Sequence, residues 1–203
     1  HRDLHLSLRR QRQMCIRDST YLASYGGTVD VESSTASIAM DATSRITTDN
    51  DTIRIAAATA LSLGTVDARS PVDRASDSLS DQVNWGDVWL WAASGSITDA
   101  SSETTSFTDD GHGRTDIGSF APSATDVFGR RLRVEIGGTT SQFGNGTNPI
   151  ESEVHTAAIA STGGVSLVDA SAISIEAVSD VVVDRVDNTG TTSSIGDGLA
   201  VLD

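Results

Sequence analysis

Apolar residues occur along this chain in short bursts that alternate with polar residues. Val29 and Val31 flank one aspartate, and Leu61 and Leu63 flank one serine. Alternation with a period of two, over four to six residues, is typical of a β-strand with one buried face. Serine, threonine, aspartate, asparagine and glycine fill the intervals and favour turns over helices. The pattern therefore predicts a chain of short strands.

The bursts return at a regular spacing, which permits two architectures. One is a sandwich of antiparallel hairpins, and the other is a parallel β-helix (β-solenoid), in which about three strands complete a coil of roughly 20 to 25 residues. Val29 to Ile53 spans 24 residues and Ile38 to Leu61 spans 23, so equivalent bursts return after one coil. The spacing favours an all-β fold of the parallel β-helix type.

An internal repeat is predicted at an offset of 112 residues. Residues 52–63 align without a gap to residues 164–175, and the four apolar anchors match in type. The alignment sets Ile53 on Val165 and Leu63 on Ile175. We therefore expect the two segments to be duplicated copies of one unit.

Two intervals interrupt the rhythm, and we expect each to form an excursion from a single domain that covers residues 20–203. Residues 70–86 have apolar positions spaced for a short amphipathic helix or a packed loop. Residues 99–130 are rich in glycine, aspartate and threonine and are expected to form a long loop.

Residues 1–19 differ from the rest of the chain. They contain five of the 14 basic residues and the single cysteine, Cys15. The segment Arg9–Ser19 resembles a peptide that recurs before unrelated metagenomic reading frames, where sequencing-adapter DNA has been translated. We therefore expect residues 1–19 to be extraneous, and the chain to be a piece of a longer protein that continues into further repeats.

Charge and composition exclude several functional classes. With 28 acidic residues against 14 basic ones, the net charge is −14, which disfavours binding to nucleic acid. No apolar run approaches the 18 or so residues that a membrane-spanning helix needs, so no membrane insertion is expected. Aromatic residues make up only 4% of the chain, as expected for a narrow core filled by small aliphatic side chains.

Two stretches resemble units of filamentous-haemagglutinin-like bacterial surface proteins. Residues 85–100 are similar to a G-x-V-x-L-x-A-x-x-G-x-I-x-D-A unit, and residues 148–167 are similar to an N-P-I-E-T-x-V unit followed by a G-G-I-x-L strand. The resemblance implies a right-handed parallel β-helix, export to the bacterial cell surface or the extracellular space, and a role in adhesion or as a stalk. It brings no catalytic residues.

Polar clusters offer candidate cation sites, but turns exposed to solvent explain them better. The two densest are residues 109–113 and 49–51, and residues 143–148 match a calcium-binding repeat only loosely. His112 and His155 lie far apart with no cysteine nearby, so no zinc site is predicted. We predict no metal, cofactor or catalytic residues.

Two other groups of residues have a functional alternative. Parallel β-helices also include polysaccharide lyases and hydrolases that align aspartates from successive coils, and four carboxylates are candidates for such a register: Asp67, Asp73, Asp180 and Asp184. If Leu90 points inward, Trp89 and Trp91 point outward, either to stack on a sugar or to lie beneath the 70–86 excursion. The structural alternative is favoured for both groups.

The sequence thus predicts a non-enzymatic structural or adhesive segment of a large secreted bacterial surface protein. Its expected partners are glycans or proteins of a host or biofilm surface. A β-helical polysaccharide lyase or hydrolase is the first alternative, and a calcium-dependent repeat module is the second.

Overall fold

The computed structural model describes residues 21–23, 27–76, 82–101, 107–109, 115–117, 124–186, 192–195 and 201–202. Within these residues the chain is built mostly from short β-strands. In chain order they are β1 (Tyr21–Ala23), β2 (Val29–Ser33), β3 (Ile38–Ala39), β4 (Arg45–Thr47), β5 (Ile53–Ala57), β6 (Leu61–Leu63), β7 (Thr65–Asp67), β8 (Val88–Ala92), β9 (Ile97–Asp99), β10 (Phe107–Asp109), β11 (Thr115–Ile117), β12 (Val127–Ile136), β13 (Ile150–Ala160), β14 (Leu167–Asp169), β15 (Ser174–Ile175), β16 (Val178–Ser179), β17 (Val183–Val186), β18 (Thr192–Ile195) and β19 (Val201–Leu202). The predicted all-β class is confirmed.

The two helical elements with described bounds lie in the interval 70–86. They are α1 (Pro71–Ser76) and a short 3-10 helix, Gln82–Asn84. Neither contributes a buried residue, and Val72 and Val83 are exposed. The described helices include none with the length and apolar character needed to cross a bilayer.

Parallel strands are arranged in three columns. Column 1 contains β2, β5, β8, the second halves of β12 and β13, and β15. Column 2 contains β1, β4, β7, the first halves of β12 and β13, and β14. Column 3 contains β3, β6 and β9 and continues through the single bridging residues Phe143 and Val165. The long strands β12 and β13 belong to columns 1 and 2 and therefore join them.

The register of the columns sets apolar side chains above one another as rungs of a ladder. Val29 pairs with Ile53, and Ile38 pairs with Leu61, as the 24- and 23-residue spacings predict. Both pairings are confirmed. The buried rungs of column 1 are Val29, Ile53, Val88, Leu132 and Ala157, and those of column 3 are Ile38, Leu61, Ile97 and Phe143. All of them belong to one hydrophobic core.

The predicted 112-residue repeat does not correspond to equivalent places in the structure. Ile53 lies in column 1, whereas Val165, its counterpart in the alignment, lies in column 3. Leu63 lies in column 3, whereas Ile175 lies in column 1. The alignment was wrong as a guide to structure because alternating apolar and small residues fit any of the three columns equally well.

The interval between β9 and β12 includes a hairpin. Strands β10 and β11 pair in antiparallel fashion, with Phe107 opposite Ile117. The parallel ladder resumes at Val127, so residues 127–130 belong to β12 and not to the loop expected over 99–130.

Gly86 marks the point where the chain re-enters column 1 after α1. A side-chain carbon at this position would collide with the backbone carbonyl of Asp51 in the layer below. Glycine is therefore required here by close approach of two backbones and not by its dihedral angles.

Removing a rung should cost far more than removing an exposed apolar side chain. Leu90 is fully buried in the core. We expect Leu90→Ala to lower the free energy of unfolding by about 2–5 kcal/mol, because the removed side chain leaves a cavity between layers. Urea unfolding measures this value.

The matched control is Val72→Ala, since Val72 is 75% exposed on α1. Its free energy of unfolding should stay within about 0.5 kcal/mol of the parent chain. Equal effects of the two substitutions would show that Leu90 does not lie in a packed core.

Candidate functional site

Three buried carboxyl groups meet where the chain leaves column 3 and returns to column 2. Asp99 ends β9, Asp126 immediately precedes β12, and Glu151 is the second residue of β13. Their exposed fractions are 8%, 4% and 1%. One carboxylate oxygen from each lies within 4.8 Å of the others. We call Asp99, Asp126 and Glu151 the acidic triad.

One backbone hydrogen bond and one backbone-to-carboxylate hydrogen bond join Asp126 to Glu151. The Asp126 amide donates to the Glu151 carbonyl at 2.9 Å, and the Glu151 amide donates to Asp126 Oδ2 at 3.1 Å. The Asp126 carbonyl accepts from the Val66 amide in the neighbouring strand. Ladder pairing therefore positions the Asp126 carboxyl group without help from a loop.

Asp99 is fixed by the first turn of the excursion that follows it. The Ser101 amide donates to Asp99 Oδ1 at 2.6 Å, and the Ser101 hydroxyl donates to Oδ2 at 2.7 Å. The Ser101 carbonyl in turn accepts from the Asn148 side-chain amide at 3.0 Å. The triad thus lies at the root of the interval 100–126 and beside the turn that leads into β13.

Electrostatics favours a proton on the triad. Burial raises the pKa of Asp126 to about 10, and the negative charges of Asp99 and Glu151 act in the same direction. The side-chain hydrogen bond with Asp99 also raises this pKa, whereas the Glu151 amide lowers it. Asp126 is therefore a neutral carboxylic acid near pH 7, and it can donate its proton to the Asp99 carboxylate.

Three clustered oxygens also have the donor chemistry that a hard cation such as Ca²⁺ accepts. A proton and a divalent cation are alternative ways to neutralise the same charges. Because Asp126 holds a proton, cation binding at the triad would first require loss of that proton.

Asp87 shows the contrasting case of a carboxylate paired with cations. Burial would raise the pKa of Asp87, but hydrogen bonds and charge from Arg131 and Arg130 outweigh burial and lower it. Arg130 donates to both Asp87 oxygens, at 2.9 and 2.7 Å. Such a bidentate ion pair keeps Asp87 charged and anchors β8 to β12.

A second polar cluster lies under the 70–86 interval. Arg69 forms a bidentate ion pair with the buried Asp67, at 3.0 and 2.8 Å, and its guanidinium carbon lies 3.5 Å from the Phe128 ring centroid. Burial raises the pKa of Glu153, which accepts hydrogen bonds from Ser171 and from Gln82 of the 3-10 helix. These contacts fasten the excursion to column 2.

The outer face of column 1 has a ladder of charged and aromatic side chains. Asp30, Arg54, Trp89 and Arg133 follow one another in register. Arg54 pairs with Asp30 at 2.7 Å, and its guanidinium carbon lies 4.7 Å from the Trp89 ring centroid. Cation–π and ionic contacts of this kind stabilise neighbouring layers from outside the core.

Leu90 points into the core, and Trp89 lies in a separate cluster on the other face, as the alternation predicts. The prediction that the 70–86 excursion covers Trp89 was wrong, however. Val178 and Val181 pack on Trp89, and Arg133 donates to the Val178 carbonyl at 2.8 Å. Val178 belongs to β16, which lies against β12 and β13, so the cover comes from the C-terminal part of the chain.

The structure does not align the four carboxylates proposed for a β-helical hydrolase. Asp67 lies opposite Thr47 and Phe128 in column 2. The others lie on separate elements: Asp73 in α1, Asp180 after β16 and Asp184 in β17. A common register was the less favoured alternative, and it does not occur because α1 and the C-terminal segment are outside the columns.

The remaining candidate cation loops form turns where the structure describes them. Asn50 has a left-handed backbone (φ 59°) between Asp49 and Asp51. Asn145 Oδ1 accepts from the amides of Thr147 and Asn148, both at 2.9 Å. In the cluster 109–113, residues 110–113, including His112, lie outside the described residues, and His155 is exposed on β13.

Sequence reasoning missed the acidic triad. Its members are separated by 27 and 25 residues and share no motif. The one available signal was that aspartates flank the interval 100–125, which suggests that its two ends could meet. The contribution of Glu151 requires the register of β12 with β13, which no spacing rule provides.

Compared with known protein families, curated proteins and solved structures, the chain matches no family model, no curated protein and no solved structure.

The protonated Asp126 predicts a specific pH dependence of stability. Its pKa is about 10 in the folded chain against 3.8 for the ordinary group, so between these values the folded state holds a proton that the unfolded state has lost. The free energy of unfolding therefore falls as pH rises through this window. In Asp126→Asn, whose amide needs no proton from solvent, this contribution disappears.

Urea unfolding of both chains at pH 5, 7 and 9 measures the effect. We expect the free energy of unfolding of Asp126→Asn to rise relative to that of the parent chain as pH increases, by up to about 1.4 kcal/mol per pH unit. Asp49→Asn, in an exposed turn, is the matched control and should follow the parent chain. Stabilisation by Ca²⁺ that Asp126→Asn abolishes would instead show that a cation neutralises the triad.

Proposed function

We propose that this chain is a segment of a right-handed parallel β-helix that serves as a rigid, non-enzymatic spacer or adhesive surface in a large secreted bacterial protein. The observation that carries the proposal is the uninterrupted series of parallel, in-register rungs in three columns. Each rung is buried by its neighbours, so the layers depend on one another for stability.

Rigidity follows from how adjacent layers are joined. Backbone hydrogen bonds run along each column, and the long strands β12 and β13 join column 1 to column 2. Outside the core, Arg130 and Arg131 tie β12 to Asp87, and Arg54 ties β5 to β2. Contacts of this kind resist bending between layers, which a stalk requires.

Location at a cell surface and adhesion to glycans or proteins rest on the motif resemblance. The stretch 85–100 provides β8 and β9, and the stretch 148–167 provides β13 and the start of β14. Both stretches supply rungs of the columns, as repeated units of a long surface protein would. The net charge of −14 favours solubility of such an extended chain.

A polysaccharide lyase or hydrolase has less support. The four carboxylates proposed for it lie on separate elements, and Asp67 is held in its ion pair with Arg69. The acidic triad does place carboxyl groups close together, but all three are buried, at most 8% exposed. A glycan chain needs an open cleft to reach such groups.

Cysteine pairs test the layered register directly. Ala39 and Ser62 are neighbours in column 3, and Ser62 and Thr98 are the next pair. The cysteine pairs are made in a Cys15→Ser chain, so that no other thiol is present. Adjacent parallel strands lie about 4.8 Å apart, within the range that a disulfide spans. We expect Ala39→Cys/Ser62→Cys and Ser62→Cys/Thr98→Cys to form disulfides under mild oxidation.

The control is Ala39→Cys/Thr98→Cys, whose positions are two layers apart, roughly 9.6 Å, beyond disulfide reach. It should stay reduced, as judged by mass spectrometry after thiol labelling. A disulfide in the control together with none in the adjacent pairs would contradict the parallel layers and the proposed β-helix.

Incubation with pectin, alginate and other polysaccharides tests the non-enzymatic assignment. We expect no new reducing ends and no unsaturated products above a heat-denatured control. Turnover that Asp126→Asn or Asp67→Asn abolishes, in a chain that still folds by circular dichroism, would overturn the spacer function in favour of a carbohydrate-active enzyme.

A further inference from the structure

The turn between column 3 and β13 contains the single Asn-Gly pair of the sequence, Asn145–Gly146. Two backbone hydrogen bonds close this turn. The Asn145 amide donates to the Asn148 carbonyl at 3.0 Å, and the Asn148 amide donates to the Asn145 carbonyl at 3.2 Å. Gly146 and Thr147 lie between them and are exposed. The Asn-Gly pair is therefore at the tip of a tight turn that water reaches.

An Asn-Gly pair can react with itself, because the glycine nitrogen is held close to the asparagine side chain. The backbone nitrogen of glycine attacks Cγ of asparagine, a C–N bond forms, the Cγ–Nδ2 bond breaks, and ammonia leaves with the proton that the glycine amide gives up. Water then opens the five-membered succinimide to aspartate or to isoaspartate, whose main chain runs through the side-chain carboxyl carbon. Glycine favours the attack because it has no Cβ to obstruct the ring.

Three hydrogen bonds hold the reacting carboxamide in the closed turn. Asn145 Oδ1 accepts from the Thr147 amide at 2.9 Å, from the Thr147 hydroxyl at 2.8 Å and from the Asn148 amide at 2.9 Å. Ring closure requires Cγ to move onto the Gly146 nitrogen, and it requires the backbone of Asn145 to rotate to a conformation between the α and β regions. Both movements break hydrogen bonds of the closed turn.

We propose that Asn145 is a deamidation site that the closed turn protects and that reacts when the turn opens. The Thr147 hydroxyl is the side-chain donor among the three that hold Oδ1, so protection depends in part on this one group. The reaction does not reverse, because the ammonia has left. Asn145 therefore keeps a permanent record of turn opening.

The modification changes a turn whose two ends are fixed in the columns. Phe143 bridges Ile97 and Val165 in column 3, and Ile150 pairs with Leu167 in column 2. Isoaspartate lengthens the main chain by one carbon between these fixed points, so the closed turn cannot form again with the same hydrogen bonds.

The same turn also contacts the root of the 100–126 interval. The Asn148 side-chain amide donates to the Ser101 carbonyl, and the Ser101 amide donates to Asp99 of the acidic triad. We therefore expect isoaspartate at position 145 to weaken the contact between this turn and the residues that hold Asp99.

Incubation of the full chain in warm, mildly alkaline buffer, followed by peptide mass spectrometry and isoaspartate detection, measures the rate at Asn145. We expect the folded chain to react roughly tenfold or more slowly than the same chain unfolded in urea, because local opening limits the reaction. Thr147→Val should raise the folded rate by about two- to tenfold, since one hydrogen bond of ordinary strength is lost. Thr147→Ser keeps the hydroxyl and should react at the parent rate.

Two controls isolate the effect of the turn. Thr139→Val, at an exposed threonine outside the turn, should react like the parent chain. Asn148 should stay intact even in urea, because Pro149 has no amide N–H with which to close the ring.

A folded rate equal to the rate in urea would overturn the proposal, as would a rate that Thr147→Val leaves unchanged. Urea unfolding of each variant separates local from global opening. A faster reaction of Thr147→Val at an unchanged unfolding midpoint supports protection by the turn. If the rate rises only together with a fall in that midpoint, the reaction proceeds through global unfolding and the proposal is wrong.

Discussion

The inward apolar side chains of the columns are fully buried where a parallel strand lies on each side of their own strand. Val88 illustrates the constraint, since it is held between Ile53 and Leu132 and has no exposed surface. The stabilisation from apolar burial therefore depends on the stacking of whole layers and not on single strands. Where the next layer is missing, as at Ile175, the same kind of residue is left in water.

This constraint decides where polar groups can be buried. Segments that leave the columns must return in register. Charged residues at the ends of these segments therefore become buried where one column gives way to the next. Asp87 and Asp67 are neutralised there by arginines, whereas Asp126 is neutralised by its own proton. Each solution avoids an uncompensated buried charge, which would be costly at this depth. Because Asp99 and Asp126 lie at the two ends of the 100–126 interval, the meeting of these ends depends on the proton that Asp126 holds.

The sequence predicted features that depend on local spacing and missed those that depend on which column a segment joins. The pairs Val29–Ile53 and Ile38–Leu61 followed from one coil length, because no excursion lies between their layers. The interval between Ile53 and Val88 contains α1, so its length carries no information on register. The 112-residue alignment failed because alternating apolar and small residues fit any of the three columns. The partners of Trp89 and Asp126 come from segments that no periodicity locates.

The central claim is that strands distant in sequence lie parallel and in register, and nuclear Overhauser spectroscopy on a methyl-labelled chain tests it most directly. Parallel columns predict contacts that connect the methyl groups of Val29, Ile53, Val88 and Leu132 in that order, together with Ile38 to Leu61. Contacts between consecutive bursts in antiparallel register, with none between Ile53 and Val88, would contradict the account.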